Sequence, residues 1–289
     1  MKNLKGILLT WSLLCAELVC CQTTQDSLRV CSLLTEGRRQ ASGTNLMLYY
    51  GHQFVGTPYV GGTLDKNQQE RLVVNTREMD CTTFVETVVA LTLTTRQGEI
   101  SYQAFCQNLA RIRYTDGVLD GYASRNHYFC QWIASNERMG VVREVRGDKA
   151  NGFHPFVGQQ TLALRYMSQH PQAYPMLRDN AARQQAIATM ERKASGAMVR
   201  YIPVSLLGGN RQELSCVHDG DILAIVTKKD GLDTTHIGIA EWGSDGCLHL
   251  LNASSIHHKV VLEPMTLRQY MLKHPTQLGV RVVRVVNDF

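Results

Sequence analysis

A run of strand-like segments in the last third of the chain, joined by short turns, limits the fold more than any other feature. Asp219-Gly220-Asp221 forms a turn into Ile222-Leu223-Ala224-Ile225-Val226-Thr227, a continuous apolar run that reads as a central strand. Residues 235–240 read as the next strand. Gly243-Ser244-Asp245-Gly246 then supplies a hairpin turn into a third strand at 247–254. Residues 260–262 and 280–286 add two more strands, with a short helix near 266–273 between them. The first half has helical periodicity instead: 27–47 at its widest, 102–114 with Phe105, Leu109 and Ile112 on one face, and 126–138 with Phe129, Trp132 and Ile133 buried. Helices first and an antiparallel sheet after them define an α+β fold.

Within the helical half, Met79-Asp80-Cys81-Thr82-Thr83-Phe84-Val85-Glu86 places a cysteine at the mouth of a helix. Asp80 is positioned as the N-cap, and Phe84, Val85, Val88 and Val89 form the apolar stripe. The unpaired N–H groups and positive dipole end of a helix favour an anion. A thiol there is expected to fall from about 8.5 towards roughly 4–7 in pKa. The Asp80 carboxylate opposes that fall, so the sulfur needs a cationic partner from elsewhere in the chain.

Composition removes several function classes. At 289 residues and 44% hydrophobic, the chain is long and apolar enough to bury a full core, which excludes disorder. Its formal charge of +5 is scattered along the chain and not gathered into a basic, aromatic-rich run, so nucleic acid is not an expected partner. A mildly positive surface suits an acidic polymer such as cell wall. Lys2 and Lys5 precede an apolar run at 7–16 that is too short to span a bilayer and fits an export signal, read over residues 1–22. Leu18-Val19-Cys20-Cys21 allows either ordinary cleavage or lipidation at Cys20 or Cys21, so a lipid anchor is the one membrane attachment expected. Six cysteines follow, Cys31, Cys81, Cys106, Cys130, Cys216 and Cys247, with no CxxC pair, and free thiols are expected. His257-His258 is adjacent and not at helical ligand spacing, so neither metal nor cofactor is expected.

The remaining motifs are Gly56-Thr57-Pro58-Tyr59-Val60-Gly61-Gly62, a fixed turn around a tyrosine, and His236, which opens a strand with Gly238 two residues later. The hairpin places either Asn252 or His249 beside His236, where a polar group can hold one imidazole nitrogen while the other faces a thiolate. These two residues are an odd number apart and face opposite sides of a regular strand, so only one can orient the histidine. Residues 141–205 contain helical stretches near 161–168 and at 181–194 but no chemical motif, and no linker divides the chain. Residues 23–289 are therefore read as one catalytic domain with a helical elaboration at about 141–205.

Asp80-Cys81-Thr82-Thr83-Phe84, preceded by the Tyr59 turn and followed by His236-Ile237-Gly238-Ile239 and Asn252-Ala253-Ser254, resembles the NlpC-type branch of the papain-like cysteine hydrolases. The resemblance implies Cys81 as nucleophile, His236 as base and Asn252 as the orienting residue. Many members have histidine at the third place, which keeps His249 as the alternative. Tyr114-Thr115-Asp116-Gly117, Ser124-Arg125-Asn126-His127-Tyr128-Phe129, Tyr201-Ile202-Pro203 and Gly231-Leu232-Asp233-Thr234-Thr235-His236 narrow the likeness, which runs from about Phe54 to the C-terminus. They resemble an N-acetylmuramoyl-L-alanine amidase-like family of exported bacterial proteins. That family implies a papain-like fold and cleavage of the amide between N-acetylmuramic acid and the first L-alanine of peptidoglycan fragments, with a preference for the 1,6-anhydro sugar. It also implies a place in the periplasm or anchored to the envelope. Tyr59 is expected to contribute its hydroxyl to the oxyanion site, and Asp80, Arg125 and His127 are expected to contact substrate. Two rival functions stay open: an endopeptidase of the same superfamily that cuts inside the stem peptide, and a catalytically silent envelope-binding protein. A monomer is expected in each case.

Overall fold

The computed structural model describes residues 20–21, 24–146 and 155–286. The export leader read over residues 1–22, with its lipidation site, lies outside them except for the backbone of Cys20–Cys21 (β1), which pairs in parallel with Leu72–Val73 (β2). Between these strands run α1 (Thr24–Gly37) and α2 (Leu46–Gln53). One helix over 27–47 is thus two. Gly37 ends the first where a Cβ would collide with the Tyr50 ring, and the Asn45 side chain caps the second by accepting from Leu48 N at 3.2 Å. Three more helices follow: α3 (Cys81–Arg96), α4 (Tyr102–Arg113) and α5 (Phe129–Arg138).

The segment expected to be a helical elaboration carries β3 (Val142–Val145), β4 (Gly158–Thr161), α6 (Tyr166–Gln169), α7 (Ala181–Ala194) and β5 (Met198–Pro203). It therefore supplies three strands as well as two helices. Their register was not evident in the sequence because β3 and β5 each pair with β10 (Gln277–Val285), far along the chain. The last third holds β6 (Ile222–Thr227), β7 (Thr234–Trp242), β8 (Leu248–Ser254), β9 (Lys259–Leu262) and α8 (Leu267–Leu272). The larger sheet runs β4-β5-β10-β6-β7-β8-β9, with β3 also on β10, and every pair in it is antiparallel. This is a mixed α/β architecture with eight α-helices among the described residues around an open sheet.

Each face of the sheet has its own core. Ile237, Ile239, Leu251, Ala253 and Val283 meet α3 and the other N-terminal helices, while Ile225, Leu250, Val280 and Val282 meet Leu267, Tyr270 and Met271 of α8. The central strand β6 is buried at every position, as a strand covered on both faces must be. Helix α3 is likewise central. It packs on α1, α2 and α4 on one side and on β7 and β8 on the other, so residues 83–95 are all buried instead of forming a single stripe. Its buried polar groups are satisfied locally: Arg113 Nε donates to Glu86 Oε2 at 2.7 Å, and Thr94 Oγ1 donates to Ala90 O at 2.7 Å. The result is a rigid rod with its N-terminal end against the start of β7. Among the described residues no helix is long and apolar enough to cross a membrane.

Candidate active site at the mouth of the central helix

Asp80 starts α3 through a reciprocal cap. Its carboxylate accepts from Thr83 N at 2.8 Å, and its own N–H donates to Thr83 Oγ1 at 2.9 Å. This fixes Cys81 as the first helical residue, half-buried, with its backbone N–H among the helix donors that have no partner within the helix. The Tyr59 turn is fastened to the same point. Met79 N donates to Pro58 O at 3.0 Å and Val60 N to Met79 O at 3.0 Å, while Tyr59 N donates to His258 O at 3.0 Å beside β9. Gly56 and Gly62, at φ 89° and 70°, provide the left-handed corners of that turn. Tyr59 is thereby held beside Cys81 and Asp80. Burial first, and then the negative charge of these two groups, pushes its phenol up to about 12, which keeps it a neutral hydrogen-bond donor.

His236 comes from the other side. The register between β6 and β7 slips at Ile225/Val226, so Thr235 is the extra residue of a bulge immediately before the histidine. Bulges of this kind re-aim a side chain. His236 Nε2 lies 2.9 Å from Asn252 Oδ1. The Asn252 amide is oriented by its own donors, since Nδ2 reaches Leu250 O at 3.1 Å and Val261 O at 3.4 Å. The oxygen must therefore face the imidazole. Nε2 then carries the proton and Nδ1 is left as a base. Gly238 allows this approach, because a Cβ there would meet Leu251 O at 2.9 Å and force β8 away.

Helix and strand meet at Ile237, whose backbone N–H faces the Cys81 sulfur. The Asp80 carboxylate acts electrostatically on the His236 ring. The local electrostatics differ from the sequence expectation of a depressed thiol. Burial, followed by the Asp80 carboxylate, pushes Cys81 up to about 11, and the helix-end donors together with Ile237 N–H offset only part of this. His236 is shifted down, chiefly by burial, against the pull of Asn252 and Asp80. Both shifts favour the uncharged forms, thiol and imidazole.

The other expected residues occupy different surroundings. His249 lies near the hairpin end of β8, with Nδ1 3.0 Å from Glu263 O and Nε2 3.1 Å from Asp245 Oδ2, so the structure brings Asn252 to His236 and leaves His249 elsewhere. Arg125 is buried against the Asp65 carboxylate, with Glu70 Oε2 at 3.8 Å and the Tyr122 ring beneath it at 5.0 Å. It ties the loop that follows the Tyr59 turn to the segment leading into α5. His127 donates from Nε2 to Tyr122 O at 2.7 Å and lies against the Tyr122 ring in a tilted contact, and burial followed by the Arg125 charge pushes it down to about 3. Both side chains are engaged inside the protein. Sequence reasoning did not single out Tyr270 and His274 on and after α8, although Cys81 is among the groups that, after burial, raise the Tyr270 phenol, and the His274 charge helps lower the His236 ring. Their i,i+4 spacing, which lets His274 Nδ1 donate to Tyr270 O at 2.9 Å, was the available signal. Among the described residues no cluster of histidine, cysteine and carboxylate side chains could hold a metal ion.

The site thus has a thiol at a helix mouth against the Ile237 N–H and, one residue earlier on the same strand, a histidine held by a buried amide. Over residues 49–280 the chain matches the AmiA-like, N-acetylmuramoyl-L-alanine amidase-like family, and it belongs to that family. It is similar to the crystal structure of an N-acetylmuramoyl-L-alanine amidase from Bacteroides uniformis ATCC 8492, at 37% identity and a TM-score of 0.76 over 87% of this chain and 99% of that one. A candidate xylanase from Bacteroides fragilis is similar at 40% identity and a TM-score of 0.75, over 82% of this chain and 100% of the other. A Legionella pneumophila protein at 21% identity and a TM-score of 0.69, over 91% and 95%, shares the fold. No curated protein matches the chain.

Proposed function

We propose that this protein is a papain-like, NlpC-type cysteine amidase of the bacterial envelope. In this reading it hydrolyses the amide between N-acetylmuramic acid, in its 1,6-anhydro form, and the L-alanine of peptidoglycan fragments. The observation that carries the reading is the 2.9 Å contact between His236 Nε2 and Asn252 Oδ1, which leaves Nδ1 to serve the sulfur at the mouth of α3. Family membership supplies the substrate class.

Burial favours the uncharged thiol and imidazole, so in this reading activation accompanies attack. His236 Nδ1 takes the proton from Cys81 as Sγ adds to the lactyl carbonyl carbon. The resulting oxyanion is assigned to the Cys81 backbone N–H and the Tyr59 hydroxyl, a neutral donor near Cys81. The imidazolium then gives its proton to the alanine nitrogen, the C–N bond breaks, and the stem peptide leaves with a free amine. Water enters, loses a proton to His236 and attacks the thioester. The muramyl acid departs and the thiol is restored. Asp80 holds the helix start and adds negative charge that favours the imidazolium stage. A glycosidase, as the name of the Bacteroides fragilis relative would suggest, needs two carboxyl groups across a cleft. Here the carboxylate beside Cys81 is committed to Thr83, and the strand side presents imidazole and amide.

Mass analysis of the products from a defined anhydromuramyl peptide tests the reading. Release of the whole stem peptide with an L-alanine amine is expected. Cleavage after D-glutamate would make the protein an endopeptidase, and no cleavage would make it a silent binder.

A further inference from the structure

At the end of α3 remote from Cys81, a cavity of about 660 Å³ opens between the start of α2, the turn into β6 and the last residues of β7 and β10. That volume lies in the range of small-molecule sites. Residues far apart in the chain build its frame. Asn45 Nδ2 donates to Asp219 O at 2.6 Å, and Gly220, at φ 85°, admits the Asn45 amide where a Cβ would stand only 2.6 Å from it. Three guanidinium groups line the cavity, those of Arg96, Arg211 and Arg284, against two carboxylates, Asp219 and Asp221. Both carboxylates are already engaged. Asp219 accepts from Arg211 Nη2 at 2.6 Å and from Trp242 N at 2.7 Å. Asp221 accepts from Arg284 Nε and Nη2 at 2.7 and 2.8 Å and from His218 N at 2.8 Å. Arg96 is left over. Its Nη1 donates to a backbone carbonyl, Val286 O, at 3.0 Å, and burial shifts the guanidinium down with no carboxylate among the described residues opposing it. A half-buried cation without a counter-charge calls for an acceptor, and the planar guanidinium fork matches a carboxylate or a phosphate.

Two elements measure how far this cavity is from the reactive sulfur. Cys81 and Arg96 are the first and last of the 16 residues of α3, which separates them by about 22 Å of helix. Along β7, roughly 20 Å of strand separates His236 from Trp242, which lines the cavity. The cavity therefore stands at the opposite end of the central helix and is no extension of the cleft at Cys81. Met47, Val217 and Trp242 give it an apolar side, which a bare ion would leave uncovered. A fitting ligand combines an anionic group for Arg96 with a carbon frame for that side.

We propose that this cavity is a second binding site, separate from the Cys81 centre, for a small molecule bearing a carboxylate or phosphate, and that Arg96 supplies the charged donors that hold it. Calorimetric titration and thermal unfolding of the wild-type protein at constant ionic strength test this. The probes are N-acetylmuramic acid, which carries a carboxylate on a sugar, and glucose 6-phosphate, which carries a phosphate on one. Their uncharged counterparts are the methyl ester of the first and glucose. At least one acid is expected to bind and to raise the unfolding temperature, at least tenfold more tightly than its uncharged counterpart. Which acid binds identifies the group that the site reads. Arg96→Gln, which keeps an N–H for Val286 O but removes the charge, is expected to weaken that acid at least tenfold. Ser215→Trp, at an exposed position lining the cavity, should also weaken it at least tenfold and leave the unfolding temperature of the free protein unchanged. Because Arg96 and Ser215 line this cavity and not the cleft at Cys81, these losses separate it from binding there. Affinity within twofold of wild type in either variant would overturn the proposal. So would failure of both acids to bind at millimolar concentration, or equal binding of acid and uncharged counterpart. The titrations involve no turnover, so failure of the amidase reading would leave them unchanged.

Discussion

Asn252, wholly buried, turns its amide oxygen onto His236 Nε2 at 2.9 Å and spends its amide nitrogen on two backbone carbonyls. Asn252 has no surface on which to meet substrate, so it can influence turnover only by holding the ring. Asn252→Ala should lower kcat by about tenfold or more, up to the roughly 10²–10⁴-fold contribution of the acid–base group it positions, while KM stays close to wild type. Steady-state kinetics on a muramyl-L-alanine substrate would check this. A kcat within twofold of wild type would remove Asn252 from the mechanism.

Cys81 alkylation should be slow near neutrality. Iodoacetamide reacts with the thiolate, and burial with the Asp80 charge pushes the thiol up to about 11, so the Cys81 peptide should label in step with ionisation centred there. Asp80→Asn retains a competent N-cap and removes the second cause, so the labelling curve should move to lower pH. Peptide mapping by mass spectrometry separates Cys81 from the other cysteines. Rapid labelling at pH 6 would show that a thiolate is already formed and that activation does not wait for substrate.

The buried Glu86–Arg113 pair anchors the helix that carries the cysteine, with Arg113 Nη1 also donating to Val73 O at 2.6 Å. Arg113→Met leaves a buried carboxylate without its partner and should cost about 3–5 kcal/mol in chemical denaturation. Glu86→Leu combined with Arg113→Met should recover most of that loss. Equal destabilisation of the single and double variants would show that Val73 O, and not Glu86, is the important partner.

Replacing His249 separates structure from catalysis. With both nitrogens bonded near the hairpin turn, His249→Ala should lower stability by about 1–2 kcal/mol but change kcat less than threefold. His236→Ala, by contrast, should abolish measurable turnover. A collapse of kcat in a folded His249→Ala protein would restore it as the orienting residue.

The parts of the site that could be read from the chain are those set by short-range chemistry. The start of α3 was legible because Asp80 and Thr83 are cap residues at cap spacing, and the meeting of Asn252 with His236 because a hairpin turn fixes strand register. The thiol's electrostatics were not, since the helix end and Asp80 compete over the same few ångströms and burial decides the outcome. The burial of Arg125 was not legible either, because its carboxylate partners Asp65 and Glu70 come from some sixty positions earlier. The strands at 142–145 and 198–203 have little local identity and exist because β10 is available to both. Gln160, within β4, illustrates the same dependence, its side chain donating to Thr227 O at the end of β6 at 2.7 Å.

The central claim is that Cys81 acts as the nucleophile on the muramyl carbonyl, and rapid acid quench followed by peptide mass spectrometry tests it most directly. Wild-type protein caught during turnover of an anhydromuramyl peptide should carry the muramyl acyl group as a thioester on the Cys81 peptide, and Cys81→Ala should show neither adduct nor product. An adduct that retains the stem peptide, or product formation that survives in Cys81→Ala, would contradict the account.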